Sequence, residues 1–237
     1  MKFKIVSLFV LCAILISCGT SRQGGKKQRK GTKAQVVLTP EQQRKYDYFF
    51  LEASRLKMKD DYSAAFDLLQ HCLTINPNAS SALYEISQYY MYLKQVPQGQ
   101  AALEKAVEND PDNYWYSQGL ASLYQQQNEM QKATNLLESM ATRFSDRMDP
   151  LYSLLDIYNR LEEYDNVITT LNRLEEKMGK NEQLSMEKFR IYLQKKDNQS
   201  AFREIESLVE EYPMDMRYQV ILGDVYMQND KKDEAYN

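Results

Sequence analysis

Apolar, aromatic and small residues return to the same register every 34 residues along most of this chain. Tyr90, Tyr124, Tyr158, Tyr192 and Tyr226 form one series at that spacing, and Leu69, Leu103, Leu137, Leu171 and Ile205 form an aliphatic one. A third series, Ala65, Gly99, Ala133, Val167, Ala201 and Ala235, keeps a small residue at one site of every unit, and Pro77, Pro111 and Pro213 share a fourth register. A period of this length is one pair of helices that cannot bury its apolar face alone, so the pattern predicts a solenoid in which neighbours share a core. Small residues let the two helices of a unit, A and B, approach closely, while the tyrosine and aliphatic series fill the seam between units. Proline, which has no N–H to continue the helical ladder, ends helix B. Thr39-Pro40-Glu41-Gln42 has the order of an N-cap, a proline at N1 and a glutamine at N3, and so starts the first helix. Asp60-Asp61-Tyr62 and Gln95-Val96-Pro97 fall where the turn from helix A to helix B belongs.

Numbered from Tyr46, these units have small residues at positions 8 and 20, an aromatic at 11, aliphatics at 24 and proline at 32, and in this they resemble the tetratricopeptide repeat. The resemblance implies an all-α fold, a right-handed superhelix of antiparallel helix pairs. The domain would run over 40–237, with units 46–79, 80–113, 114–147, 148–181, 182–215 and an incomplete 216–237. Glu52 replaces an aliphatic residue in unit 1, Leu155 and Phe189 are large where small residues are expected, and Ser145 and Gly179 replace proline. Units 4 and 5 are therefore expected to pack at altered angles. Because unit 6 stops soon after Ala235 introduces its second helix, the native chain is expected to continue past Asn237. The present end is expected to fray from about residue 216, with Leu222, Val225 and Tyr226 short of cover.

The N-terminus has a different pattern. Lys2 and Lys4 precede an uncharged, mostly apolar run of 12 residues from Ile5 to Ile16, too short to span a bilayer but right for the core of a signal peptide over residues 1–17. The run ends in Leu15-Ile16-Ser17-Cys18, which resembles the bacterial lipobox. That resemblance implies cleavage before Cys18, lipidation of Cys18, and a membrane partner held through acyl chains. Cys12 would leave with the signal, so Cys72 alone remains and no intramolecular disulfide is available. Residues 18–39 then form a flexible basic tether carrying Arg22, Lys26, Lys27, Arg29, Lys30 and Lys33. Of 30 basic residues eight lie in leader and tether, which leaves 22 against 33 acidic ones and a body near −11. An exported chain with an acidic body argues against nucleic acid as a partner. Gly19 after the cysteine points to the periplasmic face of an outer membrane in a bacterial envelope.

Composition narrows the chemistry. One histidine in 237 residues removes His-based triads and most metal sites, and no phosphate-binding, dinucleotide, zincin, nucleophile-elbow or Cys-x-x-Cys motif occurs. His71 and Cys72 read as structural, with no metal and no cofactor expected. The chain is expected not to be an enzyme. Resemblance to tetratricopeptide repeats instead implies a groove lined by helix A that binds protein or peptide partners. Carried over residue by residue, the groove consists of Phe50 and Met58; Tyr84, Gln88, Met91 and Tyr92; Trp115, Gln118, Gln125 and Gln126; Tyr152, Asp156, Asn159 and Arg160; and Met186 and Arg190. Aromatics interleaved with amides suit an extended peptide. The implied function is a membrane-anchored envelope scaffold, an assembly or regulatory adaptor. Two alternatives stand beside it: a glycan-capturing lipoprotein with a helical-repeat frame, and the docking arm of a longer chain with a catalytic domain downstream.

Overall fold

The structure, a computed structural model, describes residues 37–228. The expected signal peptide, Cys18, the expected tether to residue 36, Ala235 and the rest of 229–237 lie outside the described residues. Among the described residues eleven helices run in strict A, B alternation: α1 (Pro40–Lys57), α2 (Tyr62–Ile75), α3 (Ser80–Tyr92), α4 (Val96–Asn109), α5 (Tyr114–Gln126), α6 (Met130–Arg143), α7 (Asp149–Arg160), α8 (Tyr164–Met178), α9 (Glu182–Gln194), α10 (Asn198–Glu211) and α11 (Met216–Gln228). None of these helices is long and apolar enough to cross a membrane.

Local chemistry sets the helix starts. The Thr39 hydroxyl accepts from the Gln42 backbone N–H at 3.2 Å, and the Gln42 side chain accepts from the Thr39 N–H at 2.9 Å. Helix α1 therefore begins six residues before unit 1 does in the 34-residue register. Asp61, Asn113, Asn181 and Asp197 cap α2, α5, α9 and α10 in the same way, each accepting from an N–H the helix itself cannot satisfy.

The turn inside each unit is built identically. Asp60, Lys94, Asn128, Glu162 and Lys196 have φ between 55° and 61°, and they are themselves 34 residues apart. The N–H of the next residue reaches back to the carbonyl five positions earlier, as from Gln95 to Tyr90 and from Glu129 to Tyr124, both at 2.8 Å. This is the left-handed helix end usually given to glycine, here occupied by residues with a Cβ at a cost of about 1 kcal/mol each. Glu162→Gly is accordingly expected to stabilise the fold by about 0.5–1 kcal/mol, because relief of the left-handed strain exceeds the added chain entropy. A urea midpoint at or below that of the wild type would contradict this.

The small-residue series marks where A and B helices touch. Ala65, Ala133, Val167 and Ala201 are fully buried. Gly99 makes the closest approach: a Cβ there would come within 2.7 Å of the Met91 Cε and 3.1 Å of the Ser87 carbonyl oxygen. Between units, the tyrosine series does more than fill space. Tyr124 in α5 donates from its hydroxyl to Glu104 in α4 at 2.9 Å, and Tyr158 in α7 donates to Glu138 in α6 at 3.4 Å. Burial and the neighbouring Glu104 carboxylate push the Tyr124 phenol well above its ordinary range. Arg173 of α8 clamps the same Glu138 at 2.8 Å, tying units 3 and 4 a second time.

Two features depart from the plain repeat. After α8 the chain turns through Gly179 at φ 81° in place of the proline register. Lys188, in the position that Ile86, Leu120 and Leu154 occupy in other units, is 4% exposed and pairs with Glu175 at 2.9 Å and Glu204 at 3.0 Å. The other charge at this position, Glu52 in α1, stays half-exposed and accepts from Arg55 at 2.6 Å. At the far end, Val225 is buried and the Tyr226 ring lies 4.9 Å from that of Phe202. The cover expected to be missing from α11 is thus supplied in good part by α10, since a helix A packs on the helix B before it.

Candidate functional site

The A helices present one row of side chains each, and adjacent rows meet. Tyr84 of α3 packs against Tyr116 of α5 with ring centroids 4.8 Å apart, and the Tyr46 hydroxyl of α1 shares a 2.9 Å hydrogen bond with Ser81 of α3. Stacking of Phe50 on Tyr46, at 5.9 Å and 9° between planes, completes an aromatic floor across units 1 to 3. Burial raises the Tyr116 phenol above its ordinary pKa, so the floor stays uncharged through neutral pH.

The groove residues expected from the resemblance divide by exposure. Gln88, Tyr92, Trp115, Gln126, Tyr152 and Arg190 are exposed, as are Met58, Asp156 and Arg160. Phe50, Tyr84, Met91, Gln118, Gln125, Asn159 and Met186 are half-buried. Several of the second group serve the fold. Met91 covers the bare Gly99, and Gln118 accepts from the Tyr114 hydroxyl at 3.1 Å. Tyr92 at 79% and Trp115 at 64% exposure are more open than the third exposed aromatic of this set, Tyr152 at 48%.

Trp115 is free but not loose. The Asn113 side chain accepts from its backbone N–H at 3.2 Å, and its ring meets the edge of Tyr114 at 5.3 Å. The Arg147 guanidinium lies 4.0 Å over Tyr114 and 5.6 Å from Trp115. An aromatic plane braced on one side and open on the other loses little conformational entropy when a ligand covers it. Arg147 and Tyr116 were not among the sequence candidates; both lie outside the usual groove positions, and only the packing shows what they do.

Further along, the face changes character. Asp156 pairs with Arg160 at 3.7 Å, and Arg190 is held by Glu187. Around Met186, Arg190 and Leu193 of α9 and Tyr212 just after α10 lies an open depression of about 800 Å³, lined also by Phe189, Glu182 and Glu187. Cys72 is buried, with its thiol pushed up to about 11 by burial, and so is not a nucleophile at neutral pH. His71 is exposed against Phe49. Among the described residues, no group of three or more His, Cys, Asp or Glu is placed to hold a metal ion.

The tetratricopeptide repeat family model matches residues 80–113, the span of α3, α4 and the turn that follows. Residues 80–113 are a tetratricopeptide repeat, and the helix pairs on either side of them repeat its fold. Solved structures with a similar fold include a tetratricopeptide repeat protein from Parabacteroides merdae ATCC 43184, with TM-score 0.53 and 17% identity over 81% of this chain and 77% of that one. MamA from AMB-1 gives TM-score 0.52 and 17% identity over 71% and 92% of the two chains. A chain of the Naa15/Naa10 complex bound to HypK-THB gives TM-score 0.60 and 16% identity over 82% of this chain and 31% of that one. At these identities the likeness is one of fold. No curated protein matches the sequence. The fold is consistent with a protein–protein interaction scaffold, and its A-helix face is the candidate site.

Proposed function

We propose that this tetratricopeptide protein is a lipid-anchored scaffold of a bacterial envelope that holds extended segments of partner proteins on its A-helix face, acting by position and not by chemistry. The exposed and braced Trp115, beside the neutral amides of α3 and α5, is the observation that carries the binding reading. Support for anchoring comes from the sequence: Lys2 and Lys4, the apolar run and the Leu-Ile-Ser-Cys match that ends at Cys18. An anchor of several acyl chains, each methylene contributing about 0.8 kcal/mol, would hold such a protein on the membrane for its lifetime.

Two measurements test the two halves. Trp115→Ala should weaken partner binding by about 1–3 kcal/mol with unchanged helix content. In cells, a photo-crosslinker at Trp115 or Gln88 should capture a discrete partner that the same group at Asn172, exposed on the B helix α8, does not. Loss of helix content in Trp115→Ala with normal binding by the remaining folded protein would overturn the site. Separately, Cys18→Ser should leave the body folded and move it from the membrane fraction to the periplasm. Unchanged fractionation, with no acyl mass on the wild-type Cys18, would remove the anchor from the proposal.

A further inference from the structure

Charge is nearly missing from the A helices of units 2 and 3, α3 and α5, and we infer that the segment seated there is an uncharged, extended stretch of polypeptide, not an acidic or basic tail. The inference rests on the peptide-binding reading above and narrows its ligand. In a chain with 27% charged residues, α5 has none, and α3 has only Glu85, which Lys57 of α1 holds at 2.8 Å. The paired B helices are ordinary by comparison: α4 carries Glu104, Lys105 and Glu108, and α6 carries Lys132, Glu138 and Arg143. The depletion therefore belongs to the A face and not to this stretch of sequence. It also stops there, since Asp149, Asp156 and Arg160 follow on α7.

The groups open to a ligand on these two helices include Gln88, Tyr92, Trp115 and Gln126, all neutral. A charged side chain laid on these two helices would give up water and find on them no free counter-charge; the nearest cation, Arg147 beside Trp115, is already engaged over Tyr114 and lies 3.8 Å from Asp149. Glutamine amides carry both a donor and an acceptor, so they can follow the alternating N–H and C=O groups of an extended main chain. The aromatic planes supply apolar area for neutral side chains between those bonds. The body's charge near −11 disfavours acidic segments at a distance, and the neutral face gives basic ones nothing to pair with on arrival.

The test exposes the full chain to random displayed peptides of about twelve residues, with the Trp115→Ala chain as counter-selection. Trp115 is the only tryptophan, so its fluorescence reads the affinity of each enriched peptide, in about 50 and 500 mM NaCl. The expected peptides are uncharged through their central residues, and their affinity changes less than about twofold with salt. Gln88→Glu, an exposed change that should leave the circular dichroism intact, is expected to weaken them at least about tenfold. Enriched peptides that need Trp115 but are charged at their centre, or that lose about tenfold in affinity at high salt, would overturn this inference and leave the peptide-binding reading standing. Unchanged affinity in Gln88→Glu would overturn it equally. If no peptide distinguishes the wild type from Trp115→Ala, both readings fall.

Discussion

Replacing Ala133 by glutamate should cost about 4 kcal/mol or more and unfold the middle of the solenoid while leaving the candidate binding face chemically untouched. Ala133 is fully buried in α6, in the same core cluster as Ala121 and Leu120 of α5 and Leu137 of its own helix. The basic groups that touch that cluster, Lys132 over Tyr124 and Arg147 over Tyr114, stay at its solvent edge, so a carboxylate at 133 would either stay charged without a partner or take up a proton. Both alternatives add to the steric cost of separating α5 from α6. Because each unit leans on its neighbours, the damage should spread to units 2 and 4 and fade beyond them. Ala133→Ser, which keeps the volume nearly constant, should cost only about 1–2 kcal/mol. Urea unfolding followed by circular dichroism gives both values. If Ala133→Glu fell within about 0.5 kcal/mol of the wild type, the A and B helices would have to part freely enough to let the carboxylate reach water.

That residue was readable from the sequence because its chemistry repeats. A small side chain every 34 residues survives as a signal through any change of surface, as do the tyrosines that bridge from one unit's helix A to the previous unit's helix B. The first helix start was equally legible, since a capping threonine and its returning glutamine are local. The turns were not. Asp60, Lys94, Asn128, Glu162 and Lys196 hold left-handed backbone without a single glycine, and four of the five are residues that a sequence reading would leave on an ordinary solvated surface. Tertiary packing of the helix pair overrides their preference. The candidate face stood midway: its residues could be placed by register, but whether Met91 or Tyr92 meets a ligand depends on the bare Gly99 beneath one and solvent over the other. The absence of charge from α5 is plain in the sequence, yet it acquires meaning only once Trp115 and Gln126 are seen to be exposed.

Lys188 shows the opposite failure, a charge hidden at a site the repeat reserves for aliphatic residues. Its ammonium sits between Glu175 of α8 and Glu204 of α10, with the lysine side chain only 5% exposed and the carboxylates 23% and 17%. Burial alone would lower the lysine pKa, but the two hydrogen bonds and the charges behind them more than offset it, and the net shift is upward. A folded-state pKa above the unfolded value means that this contribution is fully present through neutral pH. It is lost only as pH rises from about 10.5 through the folded value, so the wild type should weaken in alkali. Lys188→Ala is expected to cost about 3–5 kcal/mol at pH 7, since it leaves two partly buried carboxylates facing each other across a cavity. Glu175 has one oxygen with no hydrogen-bond partner even in the wild type, so little is at hand to compensate. The variant should also lack the alkaline limb. Replacing all three residues together, as Lys188→Leu with Glu175→Leu and Glu204→Met, should recover most of the loss, because an apolar cluster needs no counter-charges. If Lys188→Ala alone were as stable as the wild type at pH 7, the triad would be a surface pairing able to relax into solvent, and the seam between units 4 and 5 would owe its stability to Leu174, Leu184 and Ile191 alone.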